Sequence, residues 1–288
     1  MGATGTVGRE VVGQLVRIGE RPRAFVRDLE RARALLGEQV DYVAGDLDRP
    51  ETIQAALAGV ERAFLLTRQS RKQPQWERSV IDAAARAGAH QLVKLSVFRA
   101  DPDSPLQIAR QHSLAEQALA QSGLAHTILR PVFFMQNLLA LVREGRLSSA
   151  AGDGRVAMID ARDVAAVAAA ALTSGGGNGE IHTLTGPEAL SFDEVATILS
   201  QQTGARIRHV RVSPEALRAA SVRAGLEAWF ADDLAKLHTM LAAGYEDIVT
   251  DSVLAVTGEP PRTRARFAAD HGAFERLSSI SVKSGADS

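Results

Sequence analysis

The 288-residue chain contains no cysteine. Disulfides, thiolate nucleophiles and cysteine-ligated zinc are therefore excluded, and no other metal site is expected. Charge of either sign is not in excess: 33 Lys and Arg stand against 34 Asp and Glu, spread along the chain, for a net charge of −1. A nucleic acid or an anionic membrane surface is accordingly not expected as a partner. No apolar run reaches the length of a membrane span, and no secretory leader is visible, so the expected compartment is the cytoplasm. Tyrosine is scarce as well. With only Tyr42 and Tyr245 in the chain, a tyrosine acid or base has two places to sit.

What is present begins at the second residue. Gly2-Ala3-Thr4-Gly5-Thr6-Val7-Gly8 is a Gly-x-x-Gly-x-x-Gly turn, followed at once by a helical apolar pattern of Val11, Val12, Leu15, Val16 and Ile18. Glycines at this spacing let backbone N–H groups approach a pyrophosphate, and the helix offers the phosphate its positive N-terminal end. A dinucleotide is the expected ligand. Such a loop normally follows a buried strand, and here only Met1 precedes it.

Strand and helix signals then alternate. Short strands are predicted over 23–27, 40–44, 63–67, 91–97 and 127–130. Helices are predicted from Pro50 through Leu57, over 76–87 and over 106–122, the last two each stopped by a glycine, Gly88 and Gly123. Further on come an alanine-rich helix over 161–173 and a strand over 181–184. Ser191-Phe192-Asp193-Glu194 is a capping box that opens a helix to about Thr203. A strand is predicted over 207–212, and helices from Ser213-Pro214-Glu215, over 226–243 and over 264–276. This pattern predicts an α/β fold: a Rossmann-like, doubly wound parallel sheet lacking its first strand, with a smaller, mainly helical C-terminal substrate region. The dinucleotide-binding domain is placed at 1–150, the C-terminal region, interleaved with the sheet, at 151–277, and a disordered tail at 278–288.

The chain resembles the NmrA-like, atypical short-chain dehydrogenase/reductase family, in particular its NAD(P)H-dependent quinone- or dye-reductase branch. The residues that carry the resemblance are Gly2–Gly8, Phe25-Val26-Arg27-Asp28, Gly45-Asp46-Leu47, the helix with His112 and Glu116, and Ser122-Gly123-Leu124 leading into Thr127-Ile128-Leu129-Arg130-Pro131. Phe134-Met135-Gln136-Asn137, Asp160-Ala161-Arg162-Asp163-Val164-Ala165 and Thr185-Gly186-Pro187-Glu188-Ala189-Leu190 follow in order.

The resemblance implies that Gly2, Thr4, Gly5, Thr6, Val7 and Gly8 cradle the pyrophosphate. It places Asp46 and Leu47 at the adenine, Leu66 and Thr67 beside a ribose, and Ser96 and Pro131 near the cofactor. After the strand over 23–27 an NAD site usually carries a carboxylate. Here Arg27 comes first, a guanidinium suited to a 2′-phosphate, so NADP(H) is expected in preference to NAD(H). Of Lys94 and Ser96, alternation predicts that one faces outward. Ordinary short-chain reductases use a Tyr-x-x-x-Lys pair. Tyr42 is followed at the fourth position by Asp46 and Tyr245 by Val249, so that mechanism is excluded. His112 is the catalytic candidate in its place, with Glu116 one turn on as a structural support. Phe133, Phe134 and Asn137 are expected in the substrate pocket, with Trp229 on the lid. The implied activity is hydride transfer from NAD(P)H to a quinone, dye or similar conjugated small molecule by a monomer or homodimer. The alternative is a non-catalytic, NADP-binding redox sensor. The family's first strand would lie between those over 23–27 and 63–67. The expectation is that the chain is N-terminally truncated and is less stable for it.

Overall fold

The computed structural model of the protein describes residues 1–175 and 177–271. The glycine loop runs directly into α1 (Thr6–Arg17), whose buried face is Val7, Val11 and Val12. β1 (Arg23–Val26), α2 (Leu29–Leu36), β2 (Asp41–Ala44), α3 (Pro50–Leu57), β3 (Arg62–Leu65), α4 (Gln73–Arg86), β4 (Gln91–Leu95), α5 (Gln107–Ala120) and β5 (Ala125–Pro131) follow in strict alternation. α3 has Pro50 in its first turn, where the missing N–H costs nothing. The alternation predicted all of these except α2, an eight-residue helix with a single buried residue, Ala32.

The central sheet has the order β3-β4-β5-β9, where β9 is Asn178–Leu184, and every pairing in it is parallel. All five residues of β4 are buried, as they must be in a strand covered on both faces. Its side chains sort by the period of two. Leu92 packs into a layer with Ile53, Val80, Ile81 and Leu119 from α3, α4 and α5. Val93 and Leu95 pack on the opposite face with Val11 of α1 and Val164 and Ala168 of α7 (Ala161–Thr173).

β1 and β2 form a separate parallel pair. Between this pair and β3 lies a slot of about 520 Å³, walled by Met1, Ala3, Val12, Phe25, Ala63 and Phe64. It occupies the position at which a further strand was expected. The Met1 ammonium donates to the Phe64 carbonyl at 2.9 Å, and burial pulls its pKa down to about 6.

The C-terminal part builds a second core. α6 (Leu138–Leu141), β6 (Val142–Arg143), β7 (Arg146–Ser149), β8 (Arg155–Val156), β10 (Leu190–Ser191), α8 (Phe192–Thr203), β11 (Arg208–Arg211), α9 (Pro214–Arg223), α10 (Ala228–Ala242), α11 (Ser252–Thr257) and α12 (Arg264–Asp270) complete the described chain. Met135, Leu138, Phe192, Leu199, Leu241 and Phe267 form this core. The capping box at Ser191 and Glu194 is present in both directions. Two elements of this part return to the first: β9 closes the central sheet and α7 packs on α1. The predicted last helix ends at Asp270. Its continuation to 276 and the 278–288 tail lie outside the described residues.

Candidate active site

A cleft of about 510 Å³ opens beyond the carboxyl ends of the parallel strands, where ligands bind in doubly wound sheets. One end is the loop Gly2–Val7. The middle is Leu66 and Thr67 after β3 and Leu95 at the end of β4. The far end is Phe134, Gln136 and Asn137 after β5.

The loop is shaped by close approach. Gly2 has φ +66°, and a Cβ there would lie 2.8 Å from the Leu66 carbonyl oxygen. A Cβ on Gly8 would lie 2.0 Å from the Gly2 carbonyl oxygen, so only glycine lets α1 start against the loop. Gly8 is therefore a packing residue on the slot side and lies outside the cleft lining. The N-cap of α1 is Gly5, with no side chain to satisfy the first-turn N–H groups. Those donors and the helix dipole remain available to an anion. These features fit a pyrophosphate.

At the end of β1 the two adjacent charged residues divide their tasks. Asp28 caps α2, accepting from the Arg31 N–H at 2.9 Å, and is absent from the cleft lining. Arg27 is exposed, lines the cleft and makes no ion pair among the described residues. Asp46 and Leu47 line the same end, together with Asp48 and Trp76. The Trp76 indole donates to Asp48 at 2.8 Å, and the Arg68 guanidinium stacks 4.8 Å over its ring. Trp76 bonding lowers the Asp48 pKa, helped by Lys72.

His112 requires a correction. It is 4% exposed and lies behind the cleft wall, not in it. Its Nδ1 is 2.9 Å from Lys94 Nζ and its Nε2 is 3.2 Å from the Gln73 amide nitrogen. An ammonium can only donate, so Nδ1 accepts. Burial, with the Lys94 charge, drives the His112 pKa well below 6.5. A proton donor in contact with substrate is not what this placement provides. Lys94 and Ser96 are also corrected. Residues two apart on a strand share a face, and both are buried against the α4–α5 layer. The Ser96 hydroxyl donates to Glu116, which also holds Arg130, with Nη2 to Oε2 at 2.5 Å. Ser96 and Pro131 are both absent from the cleft lining.

Phe133 and Phe134 point opposite ways, as consecutive residues of an extended segment do. Phe134 lines the cleft, whereas Phe133 packs edge-on against Phe192 in the C-terminal core. The Phe133 N–H is tethered to the buried Glu246 carboxylate at 2.9 Å, and burial lifts that carboxyl to about 7. Gln136 is held from both ends of its amide: it donates to Asp160 at 2.9 Å and accepts from the Ala161 N–H at 3.0 Å. Asp160 is the N-cap of α7, which explains the run Asp160-Ala161-Arg162. Asn137 lines the cleft. Trp229 is buried on α10 beside Phe230, its indole bonded to Glu227, and lies outside the cleft lining. Phe98 and Tyr245 stack edge to face at 5.4 Å in the same packed layer as Leu95 and Phe134.

Gln136, Trp76, Arg68 and Asp48 line the cleft without having been expected there. Gln136 sat inside the motif Phe134–Asn137, and its period alone could have flagged it. Asp48 and Arg68 follow strand ends by a few residues and Trp76 lies in the first turn of α4, which are weak signals without the fold. Among the described residues no group of three or more His, Asp or Glu could hold a metal ion, and no helix is long and apolar enough to cross a membrane.

Residues 2–175 match the model of the NAD(P)H-binding family. An NAD(P)H azoreductase of Xenophilus azovorans is 41% identical over 278 residues, covering 95% of this chain and 97% of that protein. Quinone oxidoreductase 2 of Escherichia coli is 32% identical over 274 residues, covering 92% and 94%. The crystal structure of the NADPH-dependent quinone oxidoreductase of E. coli complexed with NADPH superposes with a TM-score of 0.84 at 29% identity, covering 94% of this chain and 98% of that one. The Citrobacter triphenylmethane reductase complexed with NADP(H) gives 0.79 at 25% identity, covering 94% and 98%. The chain belongs to the NAD(P)H-binding family, in the NmrA-like branch that contains quinone and dye reductases.

Proposed function

We propose that the protein is an NADPH-dependent reductase that passes hydride to quinones, dyes or similar conjugated small molecules. The cleft carries this reading: an uncapped helix start and a glycine cradle at one end, and Phe134, Leu95 and a fixed Gln136 at the other. The reductase activities named for the relatives support the same class. A reduced nicotinamide supplies the hydride. The chain's own residues bind the pyrophosphate, align the cofactor along the strand ends and present an apolar face to a flat acceptor. Such an acceptor spreads the incoming charge over its conjugated system, and water supplies the later proton. No Tyr-x-x-x-Lys pair is needed, and His112 can stay in its buried cluster. The test is consumption of NADPH with a panel of quinones and azo and triphenylmethane dyes. Turnover with at least one is expected, whereas tight NADPH binding with no turnover across the panel would favour a sensor.

Arg27 supports NADP over NAD. It is free, exposed and in the cleft lining, while its neighbour Asp28 is committed to a helix cap. Arg27→Ala is expected to weaken NADPH about tenfold or more, the worth of a charge-assisted contact, and to leave NADH nearly unchanged. Equal losses for the two cofactors, measured by titration, would refute the assignment.

A further inference from the structure

Cofactor binding and hydride transfer leave one buried polar cluster without a role. It consists of Lys94 on β4, Glu77 and Gln73 on α4 and His112 on α5, all buried. Burying an ion pair costs desolvation that an apolar pair would not incur, so its presence calls for an explanation. Lys94 Nζ lies 2.9 Å from Glu77 Oε2, an ionic contact off the axis of a hydrogen bond. The same ammonium reaches His112 Nδ1 at 2.9 Å and the Leu95 carbonyl at 3.1 Å. Two of its protons are thereby committed, and its charge holds the Glu77 carboxylate in place.

Besides the bond from Lys94 to the Leu95 carbonyl, a side-chain hydrogen bond links this cluster to the cleft. The hydroxyl of Thr67, a cleft-wall residue, lies 2.8 Å from Glu77 Oε1. A hydroxyl has one proton, and a carboxylate oxygen can only accept. Thr67 therefore gives its proton to Glu77 and keeps only lone pairs for other partners. Resting on the NADPH reading above, we propose that Glu77, held by Lys94, is a positioning residue. It makes the Thr67 oxygen an obligatory acceptor, and that oxygen takes a hydrogen bond from a donor on the bound dinucleotide. The donor is either a ribose hydroxyl or the carboxamide NH2.

The test is the dissociation constant for NADPH, read by fluorescence titration. Thr67→Val keeps the side-chain shape, loses the hydroxyl and leaves the ion pair intact. It is expected to weaken NADPH about three- to tenfold, the worth of one neutral hydrogen bond, while Thr67→Ser stays near the unsubstituted protein. The reduced 3-acetylpyridine analogue, which lacks the amide N–H, separates the two donors. If the donor is the carboxamide, Thr67→Val leaves the analogue's affinity unchanged; if it is a ribose hydroxyl, both cofactors weaken together. Glu77→Gln should weaken NADPH through Thr67, so adding Thr67→Val to it should cost little more. If Glu77→Gln alone does not fold, the charge-neutral pair Lys94→Met with Glu77→Gln carries the same comparison. Unchanged NADPH affinity in Thr67→Val, or effects of the two substitutions that simply add, overturns the proposal alone. An unsubstituted protein that does not bind NADPH overturns the underlying reading and the proposal with it.

Discussion

Lys94→Met is expected to destabilise the protein by about 3–5 kcal/mol, the usual cost of removing one partner from a buried ion pair. Methionine nearly matches the length of lysine, so lost packing is a small part of the effect. The cost comes from Glu77, fully buried and left with only Thr67 and Gln73 as neutral donors. His112 also loses the donor at its Nδ1. In a chain of this size the change corresponds to a fall in Tm of about 10 °C. Adding Glu77→Gln should restore much of the loss, because the variant then buries no lone charge. A Lys94→Met protein within about 1 kcal/mol of the unsubstituted one in urea unfolding would contradict the ion-pair assignment.

Gly8→Ala is expected to give the largest loss of cofactor binding. The added Cβ would sit 2.0 Å from the Gly2 oxygen, 2.7 Å from the Gly2 carbonyl carbon and 2.9 Å from the Ala3 Cα. All three are backbone atoms, so no side chain can swing aside. The loop must instead move away from α1, and each charge-assisted N–H contact to the pyrophosphate lost in this way, worth about 1.5–3 kcal/mol, costs roughly ten- to a hundredfold. Gly13→Ala is the control. It lies one and a half turns along the same helix with nothing within 4 Å of its added Cβ. That change should leave binding intact and stabilise α1 by about 0.5–1 kcal/mol. NADPH titration of the two variants decides the matter. Similar affinities would show that the loop does not hold the pyrophosphate.

The parts of the site made by short contiguous runs were legible in the sequence. Gly2–Val7, Arg27, Asp46, Leu47, Leu66, Thr67, Phe134 and Asn137 all line the cleft, because each lies within about three residues of a strand's carboxyl end or at the start of a helix. Errors arose where orientation depends on partners distant in sequence. His112 was visible as a titratable residue on a helix. Nothing local indicated that it would meet a lysine 18 residues earlier and a glutamine 39 residues earlier, all beneath the surface. Alternation was available for Lys94 and Ser96, but it groups residues two apart and so could not separate them. Phe133 and Phe134 are a case in which alternation does separate neighbours, sending one to the core and the other to the cleft. α2 was missed although its apolar spacing is present: Leu29, Ala32 and Leu36 face one small cluster, but the pattern spans only eight residues. The interrupted sheet was legible from the start: one wall of the slot is Phe25 of β1, and the other is Ala63 and Phe64 of β3.

The central claim is that hydride passes directly from a nicotinamide held in this cleft to a conjugated acceptor. NADPH carrying deuterium at both C4 positions, turned over with a triphenylmethane dye, tests it most directly. The carbon that accepts hydride in such a dye forms a C–H bond that does not exchange with water. The account predicts a colourless product one deuterium heavier by mass spectrometry, formed by the unsubstituted protein and lost with Gly8→Ala. A reduced product without the label would contradict it, and so would a protein that binds NADPH but reduces neither this dye nor any quinone or azo dye.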